Sequence, residues 1–173
     1  RVLRSDLRRI YKDHRIGFDK RPFSKKIRGA YFNDDCGIHI AIASWLPDDP
    51  AIFTMAHEFK HHLFDSATTL SFCSTTAPSD QIEIGAEIFA AELIYPEDDF
   101  VTAMRELGVH PGSCTPEHIV RLKAATRTTL SHQGLCKRAV RFGFAAAAAF
   151  EGVTSWADVH DRVFGVPSWR SRR

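Results

Sequence analysis

The sequence predicts an α+β protein, with a small sheet near its beginning and helices through the rest of its 173 residues. Residues 29–43 read as a β-hairpin, with Asn33, Asp34, Asp35 and Gly37 between two strand-forming runs. Residues 51–65 and 81–95 carry apolar side chains at helical spacing. The last third of the chain is helical throughout by pattern.

Taken in order, residues 1–16 place Val2, Leu3, Leu7 and Ile10 near helical spacing with arginines between them, predicting a basic amphipathic helix. Residues 18–28 contain Pro22 and many charges and read as loop. In the second strand of the hairpin, Ile38, Ile40 and Ile42 alternate and share one face. Leu46-Pro47-Asp48-Asp49-Pro50 stops that strand and starts a helix, with Asp49 as N-cap and Pro50 at the first helical position. Ile52, Met55, Phe59 and Leu63 mark this as the clearest buried helix. Residues 66–80 are rich in Ser and Thr and read as an exposed connection. Pro96 closes the helix over 81–95 and opens another that runs to Leu107 and stops at Gly108. Thr115-Pro116-Glu117 starts a further helix, Ser131 caps one over residues 130–140, and Pro167 precedes a basic tail. Ala145–Ala149 read as a helical segment of small residues that forms a close packing face.

Composition narrows the class. With 44% hydrophobic and 25% charged residues, the chain has too many large apolar side chains for intrinsic disorder. No apolar run approaches the roughly 20 residues of a membrane span. The longest, Phe142 to Phe150, is Ala-rich and follows Arg141. Cysteines at 36, 73, 114 and 136 form no CxxC pair and are expected as unpaired thiols in a reducing cytoplasm, and no signal peptide is visible. The chain opens at Arg1 rather than at a Met, which leads us to expect a fragment or processed product.

Charge is distributed unevenly. Residues 1–28 hold 11 Lys/Arg against 3 Asp/Glu, residues 29–120 hold 2 against 15, and residues 121–173 hold 10 against 3. Either the basic ends pack on the acidic middle and neutralise it, or a basic end meets nucleic acid or an acidic partner.

The chemistry falls on two helices. His57-Glu58-Phe59-Lys60-His61 is an HExxH motif. Residues four apart lie about 40° apart around a helix and one turn along it, so two imidazoles can address one cation. Two His nitrogens and a carboxylate oxygen suit borderline-soft Zn²⁺, and three protein ligands leave a fourth position for water. Glu58 is the general base for that water, and Mn²⁺ or Fe²⁺ could substitute for zinc. A third ligand is expected from the downstream helix, where Glu83 and Glu87 share a face and Glu92 turns away. One of the pair would bind the metal and the other would hydrogen-bond the outer nitrogen of a liganding His.

The two blocks AIFTMAHEFKHHLFD and EIGAEIFAAELIYP resemble the ImmA/IrrE family of zinc metallopeptidases, of the HExxH, gluzincin-like kind. Phe53, Thr54, Ala56 and the His57–His61 motif match the first family block, and Glu83, Ala86, Phe89, Ala90, Ala91, Leu93 and Pro96 match the second. Glu87 stands where the family usually has Asn or Asp, and Tyr95 where Met is common. The resemblance implies Glu83 as third ligand beside His57 and His61, with Glu87 in the surrounding shell. It implies a zincin-like core over residues 1–112, with a small antiparallel or mixed sheet and an active-site helix. It also implies that the strand around Ile38 is the edge on which an extended substrate pairs. LSHQGLCKRAVRFGF is similar to the helix-turn-helix-like element the family often carries, placing it in a C-terminal helical region over 113–173. The implied activity is zinc-dependent endoproteolysis of a helix-turn-helix transcriptional repressor in the cytoplasm, with no membrane role.

Other side chains have weaker roles. His62 lies about 100° around the helix from His61 and is expected at the surface or in the shell around the ligands, while Asp65, four beyond His61, could orient that imidazole. Tyr31, His39 and Tyr95 are possible donors to an oxyanion, and His110, His118, His132 and His160 read as surface residues. The alternative function is a non-enzymatic, metal-stabilised regulator or a DNA- or protein-binding module, motivated by the basic ends and by Lys137, Arg138 and Arg141.

Overall fold

In the computed structural model, which describes residues 2–65, 70–74 and 81–165, the chain opens with helix α1 (Arg4–Asp13). Its buried stripe is Leu7 and Tyr11, one turn apart, while Leu3 is exposed. Residues 18–28 are not all loop: β1 (Gly17–Arg21) is a strand. It lies at a sheet edge and is mostly exposed, so it lacks the apolar alternation that would reveal it. Pro22 follows the strand rather than interrupting it.

The predicted hairpin forms as β2 (Ile27–Asp34) and β3 (Gly37–Ala43), antiparallel, with Asp34 opposite Gly37. Asp34 Oδ1 accepts from the Cys36 N–H at 2.9 Å, and Gly37 closes the turn at φ 114°, a value that side chains disfavour. The mixed sheet has the order β1-β3-β2-β4. β1 runs parallel to β3. β4 (Leu70–Ser74), inside the segment read as a connection, pairs antiparallel with β2. β3 is therefore paired on both sides, and the substrate edge expected near Ile38 is an interior strand.

Helix α2 (Asp48–Phe64) begins at Asp48, so Pro47 rather than Asp49 is the N-cap. Pro50 falls within the first four positions, whose N–H groups have no helical partner, and its missing donor costs nothing there. The helix packs on β2 and β3, on α1, and on α3 (Gln81–Ile94). Its middle is consequently buried on every side, Ile52, Met55 and Phe59 included, and only Leu63 of the expected stripe is largely exposed. Ala86 and Ala90 of α3 are fully buried. The small side chains let the two helices approach closely.

By contact, the chain divides between Tyr95 and Pro96 into two compact units, Arg1–Tyr95 and Pro96–Arg173. The second unit contains α4 (Glu97–Glu106), α5 (Pro116–Thr126), α6 (His132–Arg141), a 3₁₀ turn (Ala147–Phe150) and α7 (Trp156–Phe164). Helix α4 belongs here rather than with the residues before it. Its Phe100 is buried against Phe142 and Phe144, with ring centroids 5.6 and 6.0 Å away. Arg138 covers Phe142 at 4.8 Å. Ser131 caps α6 as expected, its Oγ accepting from the Gly134 N–H at 3.0 Å. Residues 130–144 supply one helix, α6, which packs against α5. Of Ala145–Ala149 only Ala145 is buried, so the run is an exposed 3₁₀ turn rather than a packing face. Pro167 and the basic tail lie outside the described residues.

His132 departs from its surface reading: it stacks on Trp156, with centroids 4.8 Å and planes 8° apart. Desolvation, and then Lys123 and His160, push its pKa down to about 4. His118 is also engaged, its Nδ1 accepting from the Thr115 N–H at the start of α5. Cys36, Cys114 and Cys136 are free thiols, the latter two buried. Among the described residues no helix is long and apolar enough to cross a membrane.

Candidate active site

Helix α2 presents different chemistry on different faces. His57 and His61, one turn apart, face α3. Both are buried, at 2% and 0% exposure. Glu83 approaches from the first turn of α3. Its Oε2 lies 3.1 Å from His57 Nε2 and its Oε1 lies 3.3 Å from His61 Nε2, while the two Nε2 atoms are 3.4 Å apart. Among the described residues these three form the one group of His, Cys, Asp or Glu side chains spaced to hold a metal ion.

The tautomer of His61 is fixed from outside. Its Nδ1 lies 2.8 Å from Asp65 Oδ2, a carboxylate oxygen that also accepts from Lys60, so Nδ1 carries the proton and Nε2 is left with a lone pair. That lone pair faces the Glu83 carboxylate and the His57 Nε2. Acceptors at such distances repel one another unless a cation or an added proton lies between them. Its close contacts with the His57 and then the His61 imidazole hold the Glu83 carboxyl far below the usual carboxylate range, so it remains an anion. A tetrahedral Zn²⁺ with ligands at 2.0–2.2 Å sets neighbouring ligand atoms about 3.3–3.5 Å apart. The observed separations of 3.1–3.4 Å lie near that edge length, and the donor set of two imidazoles and a carboxylate fits the ion.

Asp65 has a second partner. Lys60 Nζ donates to Asp65 Oδ2 at 2.6 Å and to the backbone carbonyl of Ile82 at 3.2 Å, tying the end of α2 to the start of α3 beside Glu83.

Glu58 occupies another face. Its carboxylate has 0% exposure, and neither oxygen has a hydrogen-bond partner among the described residues. It lies over Gly29 of β2, where a Cβ would fall 2.6 Å from Glu58 Oε1 and 2.5 Å from Thr54 Cγ2. Only a glycine leaves room for the carboxylate between helix and sheet. Burial, and then the nearby Glu83 charge, raise the Glu58 pKa well above the usual carboxylate range. Tyr31 shares the Gly29 face of β2, two residues along. Its hydroxyl is buried without a hydrogen-bond partner among the described residues, and burial raises its pKa.

Residues 18–139 match the model of a peptidase family, Peptidase_M78, described as the IrrE N-terminal-like domain. The chain belongs to this family. Membership in the IrrE-like peptidases implies a metallopeptidase, and the matched span includes both helices of the site. No curated protein matches the chain.

Within this IrrE-like domain the structure brings together His57, His61 and Glu83, with Glu58 on the adjoining face of the same helix. Glu87 does not take the place expected of it. At His61 the outer nitrogen is held by Asp65, and His57 Nδ1 has no hydrogen-bond partner among the described residues. The spacing of Asp65, four beyond His61, was the signal for it. His62 is turned inward, with its ring stacked on Phe59 at 6.0 Å. Burial, and then His14, lower its pKa. His39 is exposed and its ring lies against Gly17 at the β1 side of the sheet, so of the three expected oxyanion donors Tyr31 is the one on the strand beneath Glu58. Gly29 and Thr54 were missed as site residues, because the crowding appears only when strand and helix are packed.

Proposed function

We propose that this protein is a zinc-dependent endopeptidase, with zinc held by His57, His61 and Glu83 and with Glu58 as general base. The observation that carries the reading is the convergence of three side chains whose facing nitrogen and oxygen atoms lie 3.1–3.4 Å apart, with His61 Nε2 fixed as an acceptor by Asp65. Bound zinc supplies Lewis acidity, polarising a carbonyl and bringing the pKa of water to about 7. The chain's own groups do the rest. Glu58, kept dry against Gly29, takes a proton from the attacking water and returns it to the leaving amide nitrogen. The carbon–oxygen bond forms, the carbon–nitrogen bond breaks, and a carboxylate and an amine result. A raised pKa suits both transfers, since the group must accept and then release the proton near neutrality. The Tyr31 hydroxyl would donate to the oxyanion.

The mixed sheet with an HExxH helix laid across it supports a zincin-like core. The substrate is a protein, and the resemblance favours a helix-turn-helix repressor. Helices α5 and α6 are the pair that a helix-turn-helix-like element would comprise, and we read them as a docking platform for that substrate. Elemental analysis of purified protein is expected to find one zinc per chain. Glu58→Gln is expected to keep fold and zinc and to slow cleavage of a purified repressor by about 10²–10⁴-fold. Cleavage by that variant at the wild-type rate would refute the mechanism.

A further inference from the structure

The first unit has a concave feature away from the metal ligands. A groove of about 650 Å³ runs between α1 and β1. Arg8, Arg9, Lys12 and Arg15 line it, and no carboxylate does. Arg8, Lys12 and Arg15 recur at helical spacing along one side, spanning about 10 Å. All three are exposed, and none has an ion-pair partner among the described residues. Of the basic end, Arg4 makes an ion pair with the acidic middle, its Nη2 meeting Asp48 Oδ1 at 2.6 Å. Arg9 of the groove pairs with Asp6 at 3.0 Å, and Arg8, Lys12 and Arg15 are left over. Arg15 takes a left-handed φ of 57° where the chain turns from α1 into β1.

The floor of the groove is the beginning of β1, at Gly17 and Phe18. β1 is an edge strand whose outer side pairs with no described strand. An edge beside three unpaired cations fits an extended polypeptide carrying carboxylates. Main-chain hydrogen bonds would extend the sheet, and acidic side chains would meet the helix. A single-stranded nucleic acid fits less well, because it needs open aromatic faces for its bases. The Phe18 face is covered by the Arg8 guanidinium at 5.6 Å, and Tyr11 is buried with its hydroxyl tied to the Met55 carbonyl at 2.6 Å.

We propose that the α1–β1 groove binds an extended acidic peptide segment, which adds as a strand to the outer edge of β1 and sets its carboxylates against Arg8, Lys12 and Arg15. The sheet order puts this edge two strands from β2, about 10 Å from the Glu58 position, and opposite the β4 edge. The groove is therefore a recognition site separate from the catalytic one, and binding there requires neither metal nor cleavage.

The test is fluorescence anisotropy with a labelled decapeptide of alternating Glu and Thr, using the full 173-residue protein. The acidic peptide is expected to bind, and its affinity to fall about tenfold or more between low and high salt. The Lys/Thr counterpart is expected not to bind. Arg8→Glu with Arg15→Glu is expected to weaken binding at least tenfold with an unchanged circular dichroism spectrum. Arg8→Ala and Lys12→Ala, each less disruptive, should each weaken it by a smaller factor. Methylating alternate backbone amides of the peptide should also weaken it at least tenfold. No binding of the acidic peptide at low salt would overturn the proposal. So would tighter binding of a ten-nucleotide oligothymidylate, indifference to the arginine changes, or indifference to backbone methylation. Glu58→Gln should bind the peptide as wild type does, so failure of the peptidase reading leaves this result standing.

Discussion

The close approach of Gly29 to α2 makes a demanding test of how the site is built. Gly29→Ala adds one methyl group at a point 2.5 Å from Thr54 Cγ2 and 2.6 Å from Glu58 Oε1. Carbon atoms prefer about 3.5–4.0 Å, so the overlap is about 1 Å or more. Thr54 is β-branched and buried and has little rotamer freedom. Glu58 is fully enclosed, so its carboxylate cannot swing into solvent. The strain is therefore met by a shift of α2 against β2 or by displacement of the carboxylate. Overpacking of this size costs about 1–3 kcal/mol of stability. A misplacement of about 1 Å at the base costs on the order of 100-fold in rate. His57 and His61 face α3, which carries Glu83, rather than β2, so zinc content should stay at one per chain. Urea denaturation, metal analysis and cleavage kinetics on one preparation separate these effects. Wild-type stability together with wild-type cleavage would show that Glu58 does not rest on Gly29, and the placement of the base would fall.

Further outcomes follow from neighbouring contacts. Asp65→Ala frees the Nδ1 of His61 and should weaken zinc binding by about 10–100-fold in competition with a chelator, and unchanged affinity would remove Asp65 from the site. Tyr31→Phe deletes a buried hydroxyl with no described partner, so stability should hold or rise while kcat falls by on the order of 10–100-fold; equal kcat would assign the residue to the core alone. His132 is held neutral, with a pKa of about 4 against 6.5 for an unstrained histidine. Between those values the unfolded chain binds more protons than the folded one, so this group removes stability as pH falls from 6.5 towards 4. His132→Gln should flatten the decline of Tm with pH across that window relative to wild type, and parallel slopes would refute the assignment.

The ligand set was legible because it obeys helix geometry: His57 and His61 one turn apart on one helix, and Glu83 near the start of the next. Its supporting contacts were less so. Asp65 and Glu87 were both plausible partners for an outer imidazole nitrogen, and only the packed structure gives His61 to Asp65. Leu63 failed as a core residue because α2 is enclosed by sheet, α1 and α3 along its middle but not at its end. β1 was hidden for the opposite reason, as an exposed edge strand carries no hydrophobic period. The interior position of β3 depends on that strand, so missing β1 also misplaced the sheet edge. Likewise α4 looked like part of the first unit until Phe100 was seen among Phe142, Phe144 and Arg138.

The clasp made by Lys60 has a consequence for how the ion arrives. One ammonium grips Asp65 and the Ile82 carbonyl together, so the carboxylate ligand on one helix is anchored to the helix bearing the imidazoles by a contact that needs no metal ion. Loading then resembles filling a socket already cut to size rather than assembling one around its occupant. Stripping with a chelator should leave the backbone of both helices in register, and reloading should proceed without a refolding delay.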